Sequence, residues 1–167
     1  STITQAEEKY SSLSELTSVS HDYKLIENQE DISQFLAKIS TQDFFCFDTE
    51  TTSTDVFSAD LVGMSFCWKK NEAFFVLLPE NRDDAQKIVD QFKPLFENDK
   101  ILKIGQNLKF DVLMLKQYGV EVKGELFDTM IAHYLIQPEL RHGMDALAEQ
   151  YLKYKTVTYE ELTTENG

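Results

Sequence analysis

The sequence has few cysteines and no long apolar run. Its two cysteines, Cys46 and Cys67, form neither a Cys-x-x-Cys pair nor a set of zinc ligands. Both lie in apolar stretches typical of strands, so we interpret them as reduced core residues. No stretch approaches the length of a membrane span, and residues 1–8 lack the basic start and apolar run of a signal peptide. We therefore expect a cytoplasmic protein with no membrane partner.

Basic residues are also scarce. Lys and Arg number 16 against 29 Asp and Glu, which gives a formal net charge of −13. This argues against a protein that grips nucleic acid through clusters of basic side chains. It does not exclude a nucleic-acid partner, because carboxylates can recruit divalent cations that present positive charge to a phosphate.

The sequence contains enough hydrophobic residues to form the core of one domain. Hydrophobic residues make up 42% and aromatic residues 12% of the 167 positions. Residues 1–21 are rich in Ser, Thr and Glu without sustained periodicity, so we predict a linker or loosely ordered N-terminal segment there. Residues 22–167 then form the domain.

The periodicity of residues 22–167 predicts alternating strands and helices. Three consecutive strands suggest an antiparallel meander, and the helix after them returns the chain to the sheet. This order fits an α/β fold with a ribonuclease-H-like mixed β-sheet flanked by helices. The predicted strands are 23–27, 44–50, 61–68, 72–78 and 101–104, and the predicted helices are 31–39, 84–96, 107–118, 128–136 and 144–152.

Two carboxylates follow an apolar run at the end of the second predicted strand. Side chains alternate along a strand, so Asp48 and Glu50 share one face and Thr49 takes the other. The apolar residues at 44–47 predict a strand buried on both faces, which favours a site over a solvated strand end. Paired carboxylates suit Mg²⁺ or Mn²⁺.

A third carboxylate, Asp111, lies one turn into a helix that we expect Asn107 to cap. Helix starts beside strand ends are where α/β sheets build sites, and a third acid there could complete a two-metal centre for phosphodiester cleavage. A solvated acid favoured by the helix dipole is the alternative. Asp128 and Asp145 each precede a helical pattern and are more simply N-caps than ligands.

The sequence resembles the DEDD group of 3′ to 5′ proofreading exonucleases, and most closely the exonuclease domain of bacterial DNA polymerase I. Five ordered segments carry the resemblance, which covers most of the chain. They are 47–51 (FDTET), 104–111 (IGQNLKFD), 127–130 (FDTM), 141–148 (RHGMDALA) and 155–161 (KTVTYEE).

The resemblance implies roles for individual residues. Asp48, Glu50 and Asp111 would be the catalytic residues and the ligands of two Mg²⁺ or Mn²⁺ ions. It further implies a single-stranded DNA 3′ end as partner, and a polymerase domain of the same full-length chain. Thr54 replaces a leucine that wedges between terminal bases in the family. The substrate-binding residues implied are Thr49, Asn107, Arg141 and Tyr159.

The family's third motif, Tyr-x-x-x-Asp, is absent from the sequence, and no His-x-x-x-x-Asp replaces it. The absence predicts a domain incomplete at its C-terminus, with little or no exonuclease activity of its own, because such groups act as a unit.

Two alternatives stay open. A non-catalytic module could bind a strand end or support a neighbouring polymerase domain, although the three acids are intact. A ribonuclease D-like enzyme would use the same metals on RNA, which the carboxylates alone do not distinguish from DNA.

Overall fold

The computed structural model describes residues 13–15, 18–157 and 161. The chain divides into two compact units. One comprises residues 22–132, and the other comprises residues 133–167 together with residues 1–21. No helix in the described ranges is both long and apolar enough to cross a membrane.

The unit of residues 22–132 is a mixed sheet of six strands with helices. The sheet order is β1-β4-β3-β2-β5-β6. β2, β3 and β4 form the predicted antiparallel meander, while β1 pairs parallel with β4 and β5 pairs parallel with β2. The strands are β1 (Asp22–Ile26), β2 (Phe44–Thr51), β3 (Leu61–Lys69), β4 (Glu72–Leu77), β5 (Leu102–Gly105) and β6 (Leu126–Asp128).

Four helices begin in this unit, and two of them start at an asparagine cap. Asn28 and Asn81 each accept a hydrogen bond from the backbone N–H three residues on, at 3.0 and 3.1 Å. Capping a free N–H in this way favours helix initiation. The helices are α1 (Gln29–Ile39), α2 (Arg82–Phe96), α3 (Leu108–Gln117) and α4 (Thr129–Ile136), the last of which contains the boundary between the units.

The core lies on one face of the sheet, where α1 and α2 bring aromatic rings against the strands. The Phe35 ring of α1 lies 5.2 Å from that of Phe66 and 5.1 Å from that of Phe74, measured between centroids. On α2, Phe96 packs edge-on against Phe47. Tilted and edge-on ring pairs of this kind add stability beyond the area that they bury.

The opposite face of the sheet is partly open, so the prediction that β2 is buried on both faces was wrong. Phe45 and Phe47 are buried, but Phe44 on the other face is 42% exposed. Tyr23 and Leu25 of β1 lie on the same open face and are about half exposed. Burial of a second face depends on what covers it, which the apolar run of β2 cannot specify.

The second unit contains the end of α4, a short helix α5 (Met144–Leu147) and a π-helical segment, Ala148–Leu152. The predicted helix at 144–152 therefore changes its hydrogen-bond register midway. Ser14 forms a parallel bridge with Tyr154. The description of residues 1–21 as a linker stays a prediction, but this part of the segment is paired.

Candidate active site

Asp48 and Glu50 point to the open face of the sheet, as their spacing predicts. In register, Asp48 lies opposite Ser65 and Glu50 lies opposite Gly63 on β3. Asp48 is half-buried and Glu50 is exposed. The two acids therefore stand at the end of a rigid strand with access to solvent.

Asp111 reaches the same strand from the first turn of α3. It is 2% exposed, and its Oδ1 accepts hydrogen bonds from the backbone N–H of Thr49 at 2.9 Å and from the Thr49 hydroxyl at 2.7 Å. β5 pairs with β2 only as far as Cys46. Asp111 thus accepts a hydrogen bond from the backbone of β2 beyond the last residue that pairs with β5.

Gly105 allows α3 to begin close to β2. A Cβ atom at this position would collide with the Leu108 side chain and would lie 3.0 Å from the Phe47 carbonyl oxygen. The absence of a side chain at the end of β5 therefore lets the first turn of α3, which carries Asp111, pack beside β2.

The Asp48 carboxylate lies near two other carboxylates, those of Asp111 and Glu50. Burial, followed by the nearby carboxylates of Asp111 and Glu50, raises the pKa of Asp48 to about 7. Burial also raises the pKa of Asp111, against the opposing effect of the two hydrogen bonds from Thr49. The other two predicted ligands, Asp111 and Glu50, therefore lie within electrostatic reach of Asp48.

The donor set fits a hard divalent cation. Carboxylate oxygens are the ligands that Mg²⁺ and Mn²⁺ prefer, and a cation would relieve the repulsion that raises the pKa of Asp48. Across the residues that the structure describes, however, no three His, Cys, Asp or Glu side chains are already arranged around a common metal position.

Asn107 occupies the N-cap position of α3, but the prediction that its side chain caps the helix was wrong. Its backbone is left-handed, with φ of 62°, and the side chain makes no capping hydrogen bond. The Asp128 carboxylate serves instead, accepting from the N–H groups of Asn107 at 3.1 Å and Leu108 at 2.9 Å. The same carboxylate accepts from the Met130 N–H at 2.8 Å.

Asp128 therefore caps two helices. Its position before α4 predicted the second cap. Nothing in the local sequence predicted its cap on α3. That contact joins residues about twenty positions apart, which the pairing of β5 with the three-residue strand β6 brings together. Asp145, by contrast, is not an N-cap, because Gly143 holds that position and Asp145 accepts from the Thr156 hydroxyl at 2.6 Å.

Arg141 lies in the second unit, on the exposed loop before α5. Its neighbour His142 is hydrogen-bonded through Nδ1 to Nδ1 of His133 at 2.7 Å, and Nε2 of His133 lies 3.1 Å from the Tyr151 hydroxyl. These contacts fix the loop beside Arg141. Tyr159 lies outside the described residues.

Thr49 is 7% exposed, and its hydroxyl is engaged by Asp111. In the structure Thr49 therefore holds a predicted ligand in place. Its role as a substrate contact stays a prediction, as do those of Asn107, Arg141 and Tyr159.

Comparison with protein families places these features in a known group. A family model described as 3′-5′ exonuclease matches residues 23–167, which include Asp48, Glu50 and Asp111. The chain belongs to this family. The resemblance predicted from the five sequence segments is thereby confirmed.

Curated relatives of the exonuclease domain are bacterial DNA polymerases I. The enzyme of Pseudomonas aeruginosa is 35% identical over 151 residues, covering 84% of this chain and 16% of the relative. That of Borreliella burgdorferi is 34% identical over 148 residues, covering 86% and 16% respectively. The chain thus spans about a sixth of the length of these relatives.

Solved structures share the fold of the exonuclease domain at low sequence identity. Trypanosoma brucei RNase D aligns with a TM-score of 0.70 at 17% identity, covering 87% of this chain and 52% of that one. Brucella melitensis NrnC, solved with bound Mg²⁺, aligns with a TM-score of 0.63 at 16% identity, covering 84% and 65%. These neighbours confirm the predicted ribonuclease-H-like mixed sheet.

Proposed function

We propose that this exonuclease domain removes 3′-terminal nucleotides from DNA in a reaction that depends on two Mg²⁺ or Mn²⁺ ions. The observation that carries the proposal is the position of Asp48 near Asp111 and Glu50, where burial and, after it, the charges of these two carboxylates raise the pKa of Asp48 to about 7. Carboxylates brought together at a strand end, one of them buried and one with a strongly raised pKa, are typical of a functional site.

In this proposal Asp48, Glu50 and Asp111 would hold the two ions, Asp48 and Glu50 from the end of β2 and Asp111 from the first turn of α3. Bound divalent ions would lower the pKa of a water molecule and neutralise charge on the phosphate. Thr49 orients Asp111 through its N–H and hydroxyl, both of which donate to Oδ1 and leave Oδ2 outside these two hydrogen bonds. The strand backbone keeps Asp48 and Glu50 on one face.

The polymerase relatives support two further parts of the proposal. DNA is the proposed substrate, with a single-stranded 3′ end entering the site, and a polymerase domain of the same full-length chain is the proposed partner. The fold neighbours share only the fold, so they do not favour RNA. A cytoplasmic location remains a prediction from the sequence.

Hydrolysis of a labelled single-stranded DNA in Mg²⁺ or Mn²⁺ tests the proposal. We expect slow release of nucleotides from the 3′ end, because the sequence lacks a Tyr-x-x-x-Asp motif. Asp48→Ala should abolish this release, whereas Glu80→Ala, at an exposed acid after β4, should leave it unchanged. Matched RNA serves as the second substrate.

Equal cleavage by the Asp48→Ala variant would contradict the proposed site. Faster cleavage of RNA than of DNA would instead favour the ribonuclease alternative. Cleavage of DNA that Asp48→Ala abolishes would exclude the non-catalytic binding module.

A further inference from the structure

Phe57 is the most exposed large hydrophobic side chain among the residues that the structure describes. Its exposed fraction is 87%, on the loop that joins β2 to β3. Isolated apolar side chains on a surface are ordinary. What distinguishes Phe57 is the loop beneath it, because that loop is built to hold its backbone in one place.

Hydrogen bonds close the base of this loop and hold its interior residues in place. At the base, the Thr52 N–H donates to the Asp60 carbonyl oxygen and the Asp60 N–H donates to the Thr52 hydroxyl, both at 3.0 Å. Inside, the Asp55 carboxylate accepts from the Phe57 N–H at 3.1 Å and from the Ser58 hydroxyl at 2.9 Å. A side chain carried by such a turn loses little further freedom when it binds a partner.

The base of the loop is tied to the body of the unit. The Asp60 carboxylate forms an ion pair with Arg82 and accepts from the Tyr118 hydroxyl at 3.4 Å. That hydroxyl accepts in turn from the Leu61 N–H at 3.0 Å, and the Arg82 guanidinium lies 4.4 Å from the centroid of the Tyr118 ring. Tyr118 is 2% exposed, so the loop is anchored to a buried residue.

Phe57 is also near the acidic strand end. It lies three residues from Asp60 at the closed base, and Glu50 lies two residues before Thr52 on the other side. Phe57 follows Glu50 by seven residues, so at about 3.4 Å a residue the two can be no more than roughly 24 Å apart. A stacked nucleic-acid strand advances about 3.4 Å per nucleotide, so a few nucleotides would bridge this distance.

We propose that the Phe57 ring stacks on a base of the DNA strand, a few nucleotides from the 3′ end held at Asp48 and Glu50. This inference rests on the proposed function. A net charge of −13 provides little general electrostatic attraction for the strand away from the bound cations. Stacking on an aromatic ring supplies affinity independent of sequence, because every base has a π-face.

The test uses the whole chain and a set of thymidine oligonucleotides with one 2-aminopurine, placed in turn at each of the last several positions. Phosphorothioate linkages prevent cleavage, and Mn²⁺ is present. Neighbouring bases quench 2-aminopurine fluorescence, and stacking on a protein ring changes that quenching. We expect a change in quenching at one internal position, lost in Phe57→Ala and retained in Phe57→Tyr, with affinity about tenfold weaker in Phe57→Ala. Leu25→Ala removes an exposed apolar side chain from the edge strand β1 and should change neither quantity.

Unchanged quenching and affinity in Phe57→Ala, with Mn²⁺-dependent binding still abolished by Asp48→Ala, would overturn the stacking role and leave the proposed function standing. Phe57 would then serve another contact, such as one with a neighbouring protein surface. Failure of the unsubstituted chain to bind the oligonucleotides in Mn²⁺ would overturn both.

Discussion

One oxygen of the Asp111 carboxylate accepts two hydrogen bonds from a single residue, the N–H and the hydroxyl of Thr49. The contact joins residues 62 positions apart and connects the first turn of α3 to β2. Because Asp111 is buried and its pKa is raised, these two donors also offset part of the cost of placing a carboxylate there.

Thr49→Val keeps the shape of the side chain but removes the hydroxyl donor. We expect the free energy of unfolding at pH 8 to fall by about 2 kcal/mol, since the lost hydrogen bond is to a buried charged group. Urea denaturation measures the change. Thr41→Val removes an exposed hydroxyl that donates to the Lys38 carbonyl oxygen and should cost less than about 0.5 kcal/mol. Equal losses in the two variants would contradict the role of Thr49.

Asp48→Asn should stabilise the metal-free protein at high pH. The pKa of Asp48 is raised from 3.8 to about 7 in the folded state, so its stabilising contribution is complete below about pH 4 and is lost as the pH rises through 7. The full shift would correspond to about 4 kcal/mol, and partial exposure reduces our expectation to about 1–2 kcal/mol at pH 8.

Chemical denaturation in EDTA at pH 3.5 and pH 8 tests this expectation. The variant and the unsubstituted protein should have similar stability at the lower pH and should diverge at the higher one. Glu80→Gln, at an exposed position, should follow the unsubstituted protein throughout. A constant difference across the pH range would mean that Asp48 acts through packing rather than through its charge.

Mn²⁺ should raise the melting temperature of the unsubstituted protein at pH 8, because an ion that binds only the folded state stabilises it by mass action. At a concentration of one hundred times the dissociation constant, the gain is about 2.7 kcal/mol. Asp48→Ala should lose most of this gain. An equal gain in Asp48→Ala would place the dominant metal site elsewhere among the 29 acidic residues.

Asp128→Ala should destabilise the protein about twice as much as removal of an ordinary cap. Its carboxylate accepts from the N–H groups at the starts of both α3 and α4, whereas Asn28 caps only α1. We expect a loss of about 1 kcal/mol for Asn28→Ala and about 2–3 kcal/mol for Asp128→Ala, measured by urea denaturation. Similar losses would show that one of the two caps contributes nothing.

The sequence alone predicted the structure correctly where a local pattern determines it. Alternation along β2 placed Asp48 and Glu50 on one face, and helical spacing placed Asp111 in the first turn of α3. It failed where the outcome depends on distant parts of the chain. The strand β6 has only three residues and exists through its pairing with β5, and the exposure of Phe44 depends on the packing of the other face. Neither leaves a periodic signal.

The same distinction applies within the site. Residue types and positions predicted the three acids, but they did not predict the contacts of Thr49 with Asp111 and of Asp128 with Asn107. Each joins segments brought together only by the sheet, as in the contact of Asp128 with Leu108 across 20 positions.

The position of Asp111 depends on Gly105 at the end of β5, a residue that has no side chain to take part in the reaction. A methyl group at Gly105 would press on Leu108 and on the carbonyl of Phe47, so the start of α3 would have to move away from β2. Asp111 would move with it, while every acidic residue remained in the sequence. A relative could therefore retain all three carboxylates and still lose their arrangement, which means that an inventory of acids is not sufficient to recognise a working member of this family.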